Sequence, residues 1–569
     1  MTSPQFATHA PQAASTALET VDRLVARLVA RKDDWVKTSI ETRIDLLKRC
    51  IERTEAVAED WVAAACRAKG LSPESPQGGE EWLAGPMVLV RNMRLLVDAL
   101  EAGGQPAPTA LRQRANGQHV ARVFPADHFD RLLMGGITAD VWIEPGKAPS
   151  QGKIYRDKAD GHVPEGKVAL VLGAGNVASI GPMDALYKLF VEDEVVLVKT
   201  NPVNAYLQPY WEESFAPLGD ADVFFVVRGG VEVGKHAVHH PDIDTIHLTG
   251  SDRTHDAIVW GAQPDEQARR KQTGERLVNK HITSELGCVT PVLIVPGQWS
   301  SSDIDFQARH IAAMVANNGS FNCNAAKVVA LGDRWPQREM MIERIEHHLR
   351  ETPPRRAYYP GAQERYDGFL ERYPQAEPMG PRSDAVVPWT VIRDVPPNPG
   401  EYALTNEAFC GVLGTTLLKA GDPAAFLDAM VDFANDACWG TLSCSILIHP
   451  RTRRQYASKF DRAIERLKFG GIAINLFPGV IYGLSSPSWG AFPGHPMHDI
   501  RSGRGVVHNA FLYDHPQKSV VEGPFRIFPT PAWFADNRNT HRLGRAMTRF
   551  EARPGIVRLP GVLGAAMKG

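Results

Sequence analysis

Lys167-Val168-Ala169-Leu170-Val171-Leu172-Gly173-Ala174-Gly175-Asn176 is the stretch on which the reading of this chain turns. After its first residue the strand segment is apolar without alternation. A strand of that kind is covered on both faces and belongs to a parallel sheet flanked by helices. The following Gly173-Ala174-Gly175-Asn176-Val177-Ala178 fits G-x-G-x-x-A, a loose form of the dinucleotide-binding turn from strand to helix. Taken alone, it is equally a tight bend with no ligand, because glycine permits such bends in any α/β protein.

The same texture continues downstream. A helix is predicted over 182–191, then apolar strands at Val195-Val196-Leu197-Val198-Lys199, Val223-Phe224-Phe225-Val226-Val227 and Thr245-Ile246-His247-Leu248-Thr249. Strands alternating with helices predict a doubly wound, Rossmann-type sheet. A second α/β unit spans 290–478, with apolar pieces at Val292-Leu293-Ile294-Val295, Val328-Val329-Ala330-Leu331 and Ser445-Ile446-Leu447-Ile448. Upstream, residues 17–70 carry helical periodicity and end in the breakers Lys69-Gly70-Leu71-Ser72-Pro73. One amphipathic helix is predicted over 81–102. Residues 103–165, rich in Gly and Pro, read as a connecting region with edge strands such as Ala139-Asp140-Val141-Trp142-Ile143. The expected division is therefore 1–288, helices and a cofactor-binding domain with that insertion; 289–480, a catalytic domain; and 481–569, a return segment.

At 569 residues, two or three domains are expected. The chain is 43% hydrophobic and 22% charged, with a formal net charge of −2, so its overall balance indicates neither nucleic acid nor a membrane surface as partner. Arg451, Arg453 and Arg454 read as solvated surface. No apolar run approaches the roughly 20 residues that span a bilayer. The first fifteen residues show no secretory pattern and predict a mobile tail. Seven scattered cysteines, with no Cys-x-x-Cys pair and no zinc-type spacing, favour reduced thiols in a cytoplasm and no metal site. His239-His240 reads as a surface turn.

Further segments carry the chemistry: Lys199 closing the second strand; Arg228-Gly229-Gly230-Val231-Glu232-Val233-Gly234; Leu248-Thr249-Gly250-Ser251 opening a helix; Ser284-Glu285-Leu286-Gly287 before an apolar strand; Asn317-Asn318-Gly319-Ser320-Phe321-Asn322-Cys323; and Asn406-Glu407-Ala408-Phe409-Cys410-Gly411. In this order they resemble the aldehyde dehydrogenase superfamily over about 166–494, and more faintly in the N-terminal helices. The fold implied is a Rossmann-type cofactor domain plus an α/β catalytic domain with an oligomerisation segment.

The resemblance implies roles that chemistry can weigh. Cys323 falls on the nucleophile, and a lowered thiol pKa would let its thiolate attack an aldehyde. Asn176 falls on the oxyanion-hole amide, acting with the backbone N–H of Cys323. Glu285 falls on the base that activates water against the thioester. Lys199 and Glu407 would hold the ribose hydroxyls of NAD or NADP, and Phe409 would pack near the nicotinamide. Gly250 and Ser251 would offer backbone N–H groups to the pyrophosphate at a helix N-terminus, with Gly230 and Gly234 near the adenine side. Relatives are homodimers or homotetramers, for which residues 120–143 and 506–528 would supply surfaces.

Four departures from that pattern stand out. Ser320 occupies the place of a glycine three residues before the nucleophile, so the loop is expected to bulge. Cys288 replaces the second glycine after Glu285, as a packing residue or as a second thiol. Pro202 stands where NAD-selective members place an acidic residue, and Arg253 is free to attract a 2′-phosphate, which leaves NADP open. A charged insertion at 265–280 predicts an exposed loop or helix.

The leading expectation is oxidation of an aldehyde to a carboxylic acid. Leu476-Phe477-Pro478-Gly479-Val480-Ile481-Tyr482, Trp489 and Phe492 either line the substrate tunnel, favouring an apolar or aromatic aldehyde, or pack a domain interface. A coenzyme A-acylating enzyme or acyl-CoA reductase is the rival on the same fold, and Glu285 argues against it. A non-catalytic relative is the alternative of another class. A plain Rossmann dehydrogenase is disfavoured, because the second strand ends in Lys199 instead of an acidic residue.

Overall fold

The computed structural model describes residues 14–569, so the expected N-terminal tail lies outside the described residues except for its last two positions. Two sheets organise the chain. The first runs Gly503–Arg504, His281–Leu286, Thr245–Gly250, Lys167–Leu172, Glu194–Lys199, Phe224–Val227, and every pair is parallel except the short antiparallel one at Gly503–Arg504. Its strand order reverses beside Lys167–Leu172, which leaves a crevice at the carboxyl ends of the strands, where such sheets bind ligands. The four strands expected from the sequence are present, with ends shifted by a residue or so. Val168, Leu170, Val196 and Leu197 are fully buried, as strands covered on both faces require.

The second sheet has eleven strands, in the order Ala110–Gln113, His119–Phe124, Thr138–Ile143, Pro516–Glu522, Gly471–Ile474, Ser443–Leu447, Thr290–Ile294, Ala326–Gly332, Val412–Leu418, Thr390–Ile392, Glu377–Pro378. The strand-like pieces of the 103–165 region are thus joined to the sheet of the second α/β unit. Pro516–Glu522 lies between Thr138–Ile143 and Gly471–Ile474 and bonds to both. Of the segments 120–143 and 506–528, expected to supply oligomer surfaces, the strands Thr138–Ile143 and Pro516–Glu522 are interior to this sheet. Both of its edge strands, Ala110–Gln113 and Glu377–Pro378, are exposed at every residue.

The helices Leu18–Lys37 and Ile40–Lys69 match expectation, the second ending at Gly70 in the left-handed region (φ 69°). The helix expected over 81–102 is interrupted. Pro86 lacks an N–H and disfavours helical backbone in the preceding residue; Gly85 takes φ −115°, ψ −111°, and the regular helix resumes over Val88–Glu101. The buried Arg91 anchors that helix by ion pairs to Asp130 and Glu551. The charged insertion forms the helix Pro264–Thr273, which buries no residue. Among the described residues no helix is long and apolar enough to cross a membrane.

Candidate active site

The loop that presents Cys323 joins the helix Ser301–Ala316 to the strand Ala326–Gly332. Asn318, Gly319 and Ser320 take φ 53°, 66° and 70° in succession. Asparagine and glycine tolerate this left-handed backbone, whereas serine adopts it at a cost. Ser320 is also fully buried, and its Oγ finds no hydrogen-bond partner. The irregular loop expected from the missing glycine is realised as this left-handed turn.

Side chains from several elements hold the turn. The Thr290 hydroxyl donates to Cys323 O at 3.0 Å. Lys327 Nζ donates to Asn322 O, Cys323 O and Ala325 O at 3.0, 3.1 and 3.2 Å. From the N-terminal helices, Lys69 Nζ donates to Asn176 O at 3.1 Å and Asn318 Oδ1 at 3.0 Å, and pairs with Glu81 at 2.8 Å. Asn318 N donates to Glu80 Oε2 at 3.1 Å, and Glu80 is in turn paired with Arg355. Lys69, Glu81 and Asn318 are buried, so these charge-assisted bonds act in a low dielectric.

Asn176 follows the Gly-rich turn. A β-carbon on Gly175 would stand 2.7 Å from Asn201 Oδ1, and Asn204 Nδ2 donates to Ala174 O at 2.7 Å. Close packing against this asparagine pair therefore accounts for the second glycine. The Asn176 amide donates one hydrogen to Phe321 O at 2.9 Å, which orients the group beside the Cys323 loop and leaves its second hydrogen available.

Glu285 lies in the strand His281–Leu286 and is 3% exposed. The Cys323 thiol donates to its Oε1 at 3.3 Å, while Oε2 has no partner. The fold thus gathers Cys323, Glu285 and Asn176, the three residues singled out for chemistry, from distant stretches of chain. Burial raises the Glu285 carboxyl to about 7, with the charge of Glu407 adding and the Cys323 thiol and Trp489 opposing. Burial, followed by Glu285 and Glu407, pushes the Cys323 thiol well above its ordinary value; Lys327 opposes them. In this state the sulfur is a thiol hydrogen-bonded to a carboxyl group that burial has raised toward neutrality.

The residues expected to bind cofactor separate into two groups. Lys199 ends the strand Glu194–Lys199, Gly230 precedes the helix Val231–His239, and Gly250 ends the strand Thr245–Gly250, all at the carboxyl edge of the first sheet. Ser251 caps the helix Asp252–Val259, its Oγ accepting from Thr254 N. Lys199 is buried, and burial alone lowers its pKa to about 8, with no carboxylate compensating. A β-carbon on Gly234 would stand 3.9 Å from Lys199 Cε, so Gly234 faces the lysine stem.

Glu407 and Phe409 form the second group. Glu407 accepts from Cys288 N at 3.3 Å and pairs with Lys327 at 3.3 Å. Phe409 packs edge-on against Tyr359, ring centres 5.0 Å apart. Glu407 therefore sits on the Cys323 side, bonded to Lys327 and the Cys288 amide.

Cys288 is fully buried, its thiol directed at the carbonyls of Ser443 and Trp439 at 3.8 and 3.9 Å. All seven cysteines are free, and Cys323 is the most exposed of them. Among the described residues no cluster of side chains has metal-ligand geometry. Of the aromatic wall, Leu476 and Phe477 are core residues, whereas Tyr482 donates to Ser179 Oγ at 2.9 Å and packs on His508, ring centres 4.4 Å apart. Sequence reasoning missed Lys69 and Lys327. Lys327 carries a signal, a lone charge within an apolar strand; Lys69, at a helix C-terminus, looks like any dipole-matching lysine.

No known family model matches the chain. Solved structures match it over nearly its whole length. Aldehyde dehydrogenase C from Pseudomonas syringae, a mutant form with NAD+ and octanal, aligns at TM-score 0.58 and 15% identity over 91% of each chain. NADP-dependent glyceraldehyde-3-phosphate dehydrogenase from Bacillus halodurans C-125, with NADP, aligns at TM-score 0.55 and 16% identity over 90% of this chain and 92% of that one. Gamma-glutamyl-gamma-aminobutyraldehyde dehydrogenase from Burkholderia cenocepacia J2315 aligns at TM-score 0.58 and 16% identity over 89% of each. These likenesses establish the fold: the chain has the aldehyde dehydrogenase fold.

Proposed function

We propose that the chain is an NAD(P)-dependent aldehyde dehydrogenase that oxidises an aldehyde, apolar or aromatic, to its carboxylic acid. The observation that carries this reading is the 3.3 Å bond from the Cys323 thiol to Glu285 beside the Asn176 amide. A nucleophile, a base near neutral pKa and an oxyanion donor around one point are the parts that acyl chemistry requires.

The residues at the crevice fit a dinucleotide. Lys199 is a buried ammonium without a carboxylate, suited to ribose hydroxyls; Gly250 and Ser251 open a helix whose N-terminus suits a pyrophosphate. Glu407 would take the second ribose. No acidic residue stands near Pro202 in sequence to reject a 2′-phosphate, and neighbours on this fold carry NAD+ or NADP, so both cofactors are proposed. The chemistry that a bound nicotinamide supplies is acceptance of hydride from the aldehyde carbon.

The chain's own groups do the rest. Glu285 takes the proton of Cys323 as the sulfur–carbon bond forms, and the carbonyl oxygen, now anionic, receives the free hydrogen of the Asn176 amide. Once the carbon is at the acyl level, Glu285, having released that proton to solvent, takes one from water. The resulting hydroxide adds to the thioester carbon, the carbon–sulfur bond breaks, and the acid leaves as Cys323 regains a proton. Tyr482 and Trp489 near Glu285, with Phe321, Tyr359 and Phe409 clustered beside the loop, favour an apolar or aromatic side chain on the substrate.

The reading extends to a homodimer or homotetramer in a reducing, cytoplasmic setting, supported by seven unpaired cysteines and an exposed sheet edge at Ala110–Gln113. The test is a panel of aldehydes with NAD or NADP, with and without coenzyme A, read at the reduced-cofactor absorbance band. Turnover that depends absolutely on coenzyme A would reject the hydrolytic reading. Turnover surviving Cys323→Ala would remove Cys323 from the chemistry.

A further inference from the structure

Lys327 is 3% exposed in a strand whose seven residues are all buried. An apolar side chain would satisfy that strand, and burying an ammonium there costs folding energy unless acceptors surround it. Its acceptors are specific. Three are the carbonyls of Asn322, Cys323 and Ala325, so the ammonium closes the base of the nucleophile turn. The fourth is Glu407 Oε1 at 3.3 Å.

We propose that Lys327 is the positioning cation of the nucleophile, held under the Cys323 turn and balanced by Glu407, and that its charge decides how readily Cys323 ionises. This rests on the reading of Cys323 as the nucleophile. The groups facing the thiol are Glu285 from the strand His281–Leu286, Glu407 from the segment after the helix Tyr402–Thr405, Tyr482 from the helix Gly479–Leu484, and Lys327 from its own strand. Two are carboxylates, which oppose a second negative charge on sulfur. Lys327 is the positive charge acting on the thiol, and the buried thiols Cys288 and Cys410 near it are neutral. Like charges disfavour ionisation and an opposite charge favours it, most strongly where water is excluded.

The cation reaches the sulfur through the field rather than by contact: its bond is to Cys323 O, which leaves Sγ free to bond Glu285. Glu407 sets the balance. It is seated against Gly287 and the Cys288 amide, so its charge stays beside Lys327 and weakens the pull on the thiol.

The experiment follows alkylation of Cys323 in the full-length protein by iodoacetamide, in which the thiolate sulfur displaces iodide. The Cys323 peptide is quantified by mass spectrometry across about pH 6 to about pH 10. In Lys327→Met and Lys327→Gln alkylation at any fixed pH in this range should be roughly tenfold slower, as a rise of about one in the pH at which the thiol ionises requires. The glutamine keeps N–H donors for the loop carbonyls, so it reports charge even where the methionine variant fails to fold. Lys327→Arg should restore the profile, and Glu407→Gln should move it the other way. Unchanged profiles in the Lys327 variants, shifts of the same sign at both positions, or a wild-type thiol unreactive through the whole range would each overturn the proposal. Aldehyde turnover measured in parallel separates the two claims: turnover without these shifts rejects the role of Lys327, and shifts without turnover reject the dehydrogenase reading.

Discussion

A β-carbon on Gly287 would stand 2.0 Å from Glu407 Oε2. Gly287 lies where the chain leaves the first sheet after His281–Leu286 and enters the second at Thr290–Ile294, and Glu407 lies between the helix Tyr402–Thr405 and the strand Val412–Leu418 of that second sheet. The missing side chain at 287 therefore admits the carboxylate to its place between the Cys288 amide and Lys327.

Gly287→Ala is expected to expel that carboxylate. Michaelis constants for the cofactor should rise at least about tenfold, corresponding to loss of ~1.4 kcal/mol or more of binding, with the larger effect on KM than on kcat. Steady-state kinetics with varied NAD or NADP checks it. An alanine variant indistinguishable from wild type would mean that Glu407 does not touch the cofactor.

The pH dependence follows from Glu285. Its carboxyl is raised to about 7 by burial, so the ionised base predominates only above that pH. Hydrolytic turnover should climb as pH passes about 7 and then level off. Glu285→Gln should flatten the profile and lower kcat by about 10²–10⁴. Rapid mixing should show the first turnover of reduced cofactor slowed as well, since Glu285 takes the Cys323 proton before it takes one from water. A full steady-state rate in the variant would reject the assignment.

Lys199 is expected to trade stability for binding. Its pKa is lowered to about 8 by burial, below the unfolded value near 10.4, so its charge opposes folding wherever it is protonated in both states. Lys199→Met should raise stability at pH 7 by roughly 1–3 kcal/mol and weaken cofactor binding. The advantage should shrink between about pH 8 and pH 10.4, as the wild-type lysine loses its proton on folding and then in both states. Thermal melts of the cofactor-free protein across that range, with cofactor titrations, check both halves.

Ser320→Gly should stabilise the chain by about 1 kcal/mol. It relieves the left-handed backbone at φ 70° and removes a buried hydroxyl without a partner, against the greater flexibility of an unfolded glycine. Denaturant unfolding measures it. A clear loss of stability would show that the serine hydroxyl is satisfied in solution.

Much of the site was legible in the residues because its parts are local. Gly173-Ala174-Gly175-Asn176 announces itself by following an apolar strand, and Ser284-Glu285-Leu286-Gly287 by preceding one. The helix expected over 81–102 was misread at Gly85-Pro86, where the signal was present but outweighed by the surrounding apolar periodicity. Pro516–Glu522 looked like a return segment because its partners, Thr138–Ile143 and Gly471–Ile474, are chosen by the sheet and not by nearby residues.

By itself the sequence determined the parallel, doubly covered strands and the order of the chemical motifs, because apolar periodicity and turn residues act over a few neighbouring positions. Only the tertiary structure decided that Lys69 and Lys327 grip the Cys323 turn, that Glu407 lies over Gly287, and that burial raises Glu285 toward 7. Those outcomes depend on which distant charges meet once water is excluded, and exclusion of water is a property of the packed fold that no short window of residues carries.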